Sequence, residues 1–240
     1  MTSVAIEKQL KLLGSPKKAA NCTWFFKTEK GMYGYGDKFY GVTVPEQRLI
    51  AKEFKDLHLD QIQKLLDNKY HECRLTALII LTNQAKKIKN EKEFKTLYDF
   101  YLKNTERINN WDLVDTSARD IVGGYLYKFN KDRKVLYKLA KSKLLWDRRI
   151  AIIATAEFIK HNDFYDTFKL CEVLMNDKED LMHKACGWML REVGKKNIKE
   201  LSTFLDKHAH VMPRTMLRYA IEKYPEKTRK KYLGMAAKYK

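Results

Sequence analysis

Apolar residues recur at three- and four-residue spacing along almost the whole chain, as in Ile6, Leu10 and Leu13, or Leu181, Ala185, Trp188 and Val193 with its neighbours. That spacing returns side chains to one face of a helix of about 3.6 residues per turn, whereas a strand would alternate every second residue. The pattern therefore predicts amphipathic helices nearly everywhere. Breaks fall at Gly14-Ser15-Pro16, between Gly31 and Pro45, and around Asn68, Asn90, Asn109-Asn110, Asn130, Asn162, Asn176-Asp177, Asn197, Pro213 and Pro225. All of these are residues that cap helices or turn the chain, and they imply about a dozen helices joined by short connections.

Four of the expected helices align with one another. Arg74-Leu75-Thr76-Ala77, Asp112-Leu113-Val114-Asp115, Arg149-Ile150-Ala151-Ile152 and Lys184-Ala185-Cys186-Gly187 start 38, 37 and 35 residues apart. Periods of about 35 to 47 residues belong to stacked helix pairs such as TPR, HEAT and armadillo arrays, each pair burying its apolar face against its neighbours. A basic residue opening an Arg-x-x-Ala-like helix favours the HEAT form. The repeats are degenerate, and an irregular helical bundle stays open as the alternative. In a stacked array the inner helices form a concave wall, so matching registers of successive inner helices converge on one groove.

One stretch departs from helical patterning, Gly31 to Val42, with four glycines and Tyr33, Tyr35, Phe39 and Tyr40 among them. It lacks the spacing of a Walker loop. Two readings remain: a loop whose backbone approaches phosphates closely, or an ordered loop that packs its rings under the first helices. Pro45 is expected in the first turn of the helix that follows.

Composition adds a partner. The 240 residues carry 48 Lys and Arg against 30 Asp and Glu, a formal charge of +18, which favours a polyanion, although a merely basic surface would share it. No run of 18 apolar residues is present to span a bilayer and no signal peptide is seen before the first helix, so we expect no membrane partner and a cytoplasmic protein. Cys22, Cys73, Cys171 and Cys186 form no CxxC pair and are expected as free thiols. The histidines show no ligand spacing, and neither a metal nor a cofactor is expected.

Trp111 and Asp115, four residues apart, put an indole and a carboxylate on one helix face. Core packing would explain the tryptophan equally well, and a helix-dipole partner the aspartate. Asp115, Arg149 and Trp188 fall within about one helical turn of the same register.

Trp111-Asp-Leu-Val-Asp115, Trp146-Asp-Arg-Arg149 and Lys184-Ala-Cys-Gly-Trp188-Met-Leu-Arg-Glu192 resemble the signature segments of AlkD-type DNA alkylpurine glycosylases. Gly36-Asp37-Lys38-Phe39-Tyr40-Gly41-Val42 with Pro45 and Arg48 extends the resemblance, which runs from roughly residue 20 to 225. The chain departs at Asn110, where the family often has a second aromatic. The resemblance implies an all-α, right-handed α–α superhelix, HEAT-like and C-shaped, as a single domain over residues 1–240 that works as a monomer on duplex DNA. It implies hydrolysis of the N-glycosidic bond of N3- or N7-alkylated purines, without full base flipping. Asp115 would be the catalytic carboxylate, Trp111 and Trp188 would contact the lesion's sugar and backbone, and Arg149 would hold the adjacent phosphate.

The chemistry fits one carboxylate. A purine alkylated at N3 or N7 is already cationic and leaves as a neutral base, so the general acid of ordinary glycoside hydrolysis is unnecessary. Arg148, Lys184, Arg191, Lys38 and Arg48 are candidate phosphate contacts, as are Lys195 and Lys196. The tail from Glu226, with Lys227, Arg229, Lys230, Lys231, Lys238 and Lys240, is either a DNA-touching basic helix or an inert cap. A non-catalytic DNA-binding protein on the same scaffold and a solenoid for acidic protein partners remain as competing functions.

Overall fold

Leu13 ends the first helix, and Ser15 caps the second by accepting a hydrogen bond from the Lys18 amide while Pro16 opens it. Similar local devices set most boundaries in the computed structural model, which describes residues 1–236. Asn90, Asn110 and Asn197 each accept hydrogen bonds from the first amides of a helix. Asn130 and Asn162 end helices with positive φ, where asparagine is tolerated better than most residues. Thr43 and Glu46 form a reciprocal capping box just before and inside the helix that carries Pro45.

The fold is all-helical. Among the described residues the only extended pairing is an isolated bridge between Lys38 and Tyr70. Contacts divide the chain into two units, Met1–Ile121 and Val122 onward.

The first unit contains α1 (Ser3–Leu13), α2 (Pro16–Phe25), α3 (Val44–Glu53), α4 (Leu59–Leu66), α5 (His71–Lys87), α6 (Glu91–Lys103) and α7 (Trp111–Ala118). Helix α5 is its axis. Thirteen of the seventeen residues of α5 are buried, and α1, α3, α4, α6 and α7 all pack against it. A helix covered on every side has little amphipathic contrast, as a core helix should. By contrast, α2 contributes no buried residue, and Trp24 and Phe25 at its end are exposed.

The second unit contains α8 (Gly124–Lys128), α9 (Lys134–Ala140), α10 (Leu145–Ala154), α11 (Ala156–Lys160), α12 (Tyr165–Leu174), α13 (Asp180–Lys196), α14 (Ile198–His208), α15 (Arg214–Ala220) and α16 (Glu226–Ala236). Here α10 and α13 are neighbours, and α13 lies closest to α15. Gly187 permits that approach: a Cβ there would stand 2.5 Å from the Met216 carbonyl oxygen and from the Tyr219 Cβ.

The segments aligned by the repeat lie in the first turns of α5, α7, α10 and α13, with Arg74, Arg149 and Lys184 at the fourth or fifth position of their helices and Asp112 at the second of its own. Among the described residues there are sixteen α-helices against the dozen or so expected, and two of the helix breaks lie outside the expected positions. One is at Thr155, whose hydroxyl donates to the Ile152 carbonyl at 2.7 Å and competes with the helical ladder. The other is a wide turn of π type at Arg119–Gly123. Of the basic tail, Lys227, Arg229, Lys230 and Lys231 lie on α16, which docks through buried Tyr232 and its 3.0 Å hydrogen bond to Asp206. Lys238 and Lys240 lie outside the described residues.

Candidate functional site

Helix α7 has two faces. Leu113, Val114, Ser117 and Ala118 are buried, while Trp111, Asp112, Asp115 and Thr116 remain half-exposed. Trp111 and Asp115 therefore share the open side, one turn apart, as their spacing requires. The Trp111 ring stacks on Phe26 at 5.5 Å between centroids and meets the edge of Phe25 at 5.9 Å.

Asn110 stands fully buried before it. Its side-chain oxygen accepts from the Trp111 amide at 2.8 Å, and its Nδ2 lies 3.5 Å from Asp37 Oδ2. The amide at this position thus caps the helix and ties it inward, where an aromatic ring would do neither.

Behind α7 lies a chain of charged groups. Arg74 Nη2 donates to Asp37 Oδ1 at 2.6 Å, Asp37 Oδ2 is 3.0 Å from His71 Nδ1, and His71 Nε2 is 2.7 Å from Asp112 Oδ2. Burial alone would push the His71 imidazole down. The Asp112 charge and the hydrogen bonds to Asp112 and Asp37 outweigh that, even against the opposing Arg74 charge, and raise it to about 9. For Asp37 burial again opposes the result, but hydrogen bonding from His71 and the Arg74 and His71 charges hold its carboxyl below the usual range.

Phe26 and Phe39 flank the imidazole at 4.9 and 5.1 Å, and Phe26 continues to Trp111. The His71 part of this arrangement was not legible in sequence. Asp37 is 34 residues before it and Asp112 41 residues after it, and a lone histidine at a helix start carries no local signature.

The glycine-rich loop mostly packs its rings inward. Phe39 stacks on Phe26, Tyr40 stacks on Tyr70 and donates to Glu7, and only Tyr35 among the four aromatics is exposed. Buried Glu72 anchors the loop by accepting from the amides of Tyr40, Gly41 and Val42. Gly41 is required where it stands, with φ of 83° and a virtual Cβ only 2.2 Å from the Ser15 carbonyl.

In the second unit Arg149 and Trp188 sit on the neighbouring helices α10 and α13. Arg149 is only 5% exposed, and one nitrogen donates to the Leu181 carbonyl at 2.7 Å near the start of α13. Trp188 is half-exposed, its indole N–H donating to Glu192 at 3.0 Å.

The basic candidates differ in how far they are engaged. Arg148 grips Asp177 with two nitrogens, and its third nitrogen donates to the Ser142 and Lys143 carbonyls. Arg191 pairs with Glu222, and Lys184 with Asp180 one turn before it. Lys38 and Arg48 are exposed. Among the described residues no cluster of His, Cys, Asp or Glu is disposed to hold a metal ion, and no helix is long and apolar enough to cross a membrane. Cys73, Cys171 and Cys186 are buried free thiols, and Cys22 is partly covered.

Residues 6–224 match the family model described as DNA alkylation repair enzyme. Among solved structures, one described as a predicted DNA alkylation repair enzyme from Enterococcus faecalis is similar with a TM-score of 0.71 at 16% identity, covering 89% of this chain and 97% of that one. The two share a fold. No curated protein matches the chain.

Proposed function

The chain belongs to the DNA alkylation repair enzyme family, which gives it a role in repairing alkylation damage, and from that premise we propose that it is a DNA glycosylase releasing N3- or N7-alkylated purines from duplex DNA. The observation that carries this reading is the half-exposed pair on α7, an indole at Trp111 and a carboxylate at Asp115 one turn later. As the glycosidic bond breaks, positive charge develops on the sugar. A preorganised carboxylate stabilises that charge or orients the attacking water, and losing such a group costs about 10² to 10³ in rate.

The electron-rich face of Trp111 favours the same cation by roughly 0.5 to 2 kcal/mol. Arg149 would hold the phosphate beside the lesion. Lys38 and Arg48 are the first candidates for contacts along the backbone, since Arg148, Lys184 and Arg191 would have to exchange their carboxylate partners for phosphate.

The decisive experiment incubates purified protein with methylated duplex DNA and separates freed bases by chromatography. Asp115→Asn is expected to lose 7-methylguanine release by about 10² or more while binding DNA almost normally. Undiminished release by that variant removes the mechanism, and no release by the wild type leaves a DNA-binding protein on the same scaffold. Arg149→Ala is expected to weaken binding and lower its dependence on salt by about one phosphate's worth. An unchanged salt slope argues against a phosphate role.

A further inference from the structure

We infer that His71 is a positioning residue that works as an imidazolium, donating from both ring nitrogens to fix the first turn of α7, and with it Trp111 and Asp115. The claim about base release rests on the glycosylase reading above; the claim about protonation does not.

The geometry leaves the ring one consistent state. A neutral imidazole has one N–H and one lone pair, yet both nitrogens face carboxylate oxygens, at 3.0 Å on Asp37 and 2.7 Å on Asp112. A lone pair against either carboxylate would be repulsive, and the ring is 2% exposed, so water cannot intervene cheaply.

Placing the extra proton on a carboxylate instead is disfavoured at both ends. Asp37 accepts from the Arg74 guanidinium at 2.6 Å, which favours its ionised form. Asp112 Oδ1 accepts the Leu113 amide at 2.9 Å in the first turn of α7, where the helix dipole favours an anion.

The other titratable groups around the ring do not change this balance. Glu72, beside it on α5, is turned onto the amides of residues 40 to 42. The Cys22 thiol of α2 is pushed up by burial, with the Glu72 and Asp112 charges adding to it, and stays neutral. Lys38, in the loop, meets this region through its backbone carbonyl, which accepts the His71 amide at 2.8 Å. Arg74 and His71 then balance Asp37 and Asp112.

Three tethers run from this ring to α7. The first is the direct bond to Asp112. The second passes through Asp37 to Asn110, the residue that caps the helix. The third is aromatic, from the imidazole through Phe26 to the Trp111 ring. Misplacing a catalytic group by about 1 Å can cost 10²-fold in rate, so a buried residue that never touches DNA can still govern catalysis while leaving affinity alone.

Two measurements on the full chain test this. Imidazole ¹⁵N resonances of the wild type, followed from pH 6 to 10, should show both His71 nitrogens protonated at pH 7; a neutral tautomer there overturns the imidazolium whatever the protein's activity. Single-turnover release of 7-methylguanine by His71→Gln, which keeps bulk but cannot donate from both positions, should fall by about 10- to 100-fold with duplex affinity nearly unchanged. A folded variant releasing base at the wild-type rate overturns the positioning role.

Should His71→Gln fail to fold, Asp112→Asn takes its place. It keeps the ring but removes one counter-charge, so the alkaline limb of the release profile should move to lower pH, and an unmoved limb counts against the proposal. If the wild type releases no base, the glycosylase reading fails. The Trp111 indole resonance then decides positioning: displaced in Asp112→Asn it stands, unmoved it falls.

Discussion

Asp112 is 15% exposed in its side chain, yet its removal should cost far more than a surface carboxylate would. Truncation to alanine leaves the His71 charge with one partner in a buried place, and breaking such a pair typically costs about 3 to 5 kcal/mol. Urea unfolding of Asp112→Ala is expected to show a loss of that order, and a change under about 1 kcal/mol would mean that the pair behaves like an exposed one.

The same ring makes stability depend on pH. Its folded pKa, raised to about 9, lies above the roughly 6.5 of an exposed histidine. Between those values the folded chain keeps a proton that the unfolded chain has released. The stabilisation, on the order of 3 kcal/mol, is complete below pH ~6.5 and disappears as pH rises through about 9. Asp37 acts at the other end: its lowered pKa adds stability above the ordinary carboxylate range that is lost on acidification. The stability gap between wild type and His71→Gln should therefore be wide at pH 6.5 and narrow at pH 9.5. A constant gap would be incompatible with a titrating imidazolium. At this scale Trp111 and Asp115 were legible because spacing alone places them on one face. His71 was not, because its meaning depends on residues brought together only by tertiary packing.

Elements follow from local chemistry wherever a cap or turn residue acts on its immediate neighbours. Asn197 illustrates it, accepting from the Lys199 and Glu200 amides at 3.1 and 3.3 Å to open α14. Replacing it with alanine should cost about 1 kcal/mol, read as a shift in the urea midpoint. The breaks near Asn68, Asn90, Asn110, Asn130, Asn162 and Pro213 were legible for the same reason. Thr155 was not, because a threonine inside an apolar run signals nothing until its hydroxyl finds the Ile152 carbonyl.

Gly187 also hid its role, since within a helix it reads as a simple loss of propensity. Alanine there would gain up to about 1 kcal/mol of helix propensity, but its Cβ would stand 2.5 Å from the α15 backbone at Met216. The steric term wins, and Gly187→Ala is expected to destabilise the protein by about 1 to 3 kcal/mol in thermal or urea melts. A stabilised variant would show that α13 and α15 separate easily.

For the whole molecule, the all-helical class could be read from periodicity, since three- and four-residue apolar spacing returns side chains to one face of a helix. The surplus charge of +18 acts at this scale too. If six to ten phosphates are neutralised, affinity for undamaged duplex should fall by about 10³-fold or more between 50 and 200 mM salt, and a flat response in a filter-binding titration would leave the charge without that role. Which basic residues take part was not legible, because a sequence does not reveal that Arg148 is gripped by Asp177 or Arg191 by Glu222.

Asn110 has a historical consequence as well. Exchanging its amide for a ring would remove one contact to Asp37, which also holds His71, and uncap α7 in one step, so drift at residues 37, 71, 110 and 112 is mutually contingent. A library randomised at all four should return survivors that either keep the set intact or abandon it together, with few mosaics between.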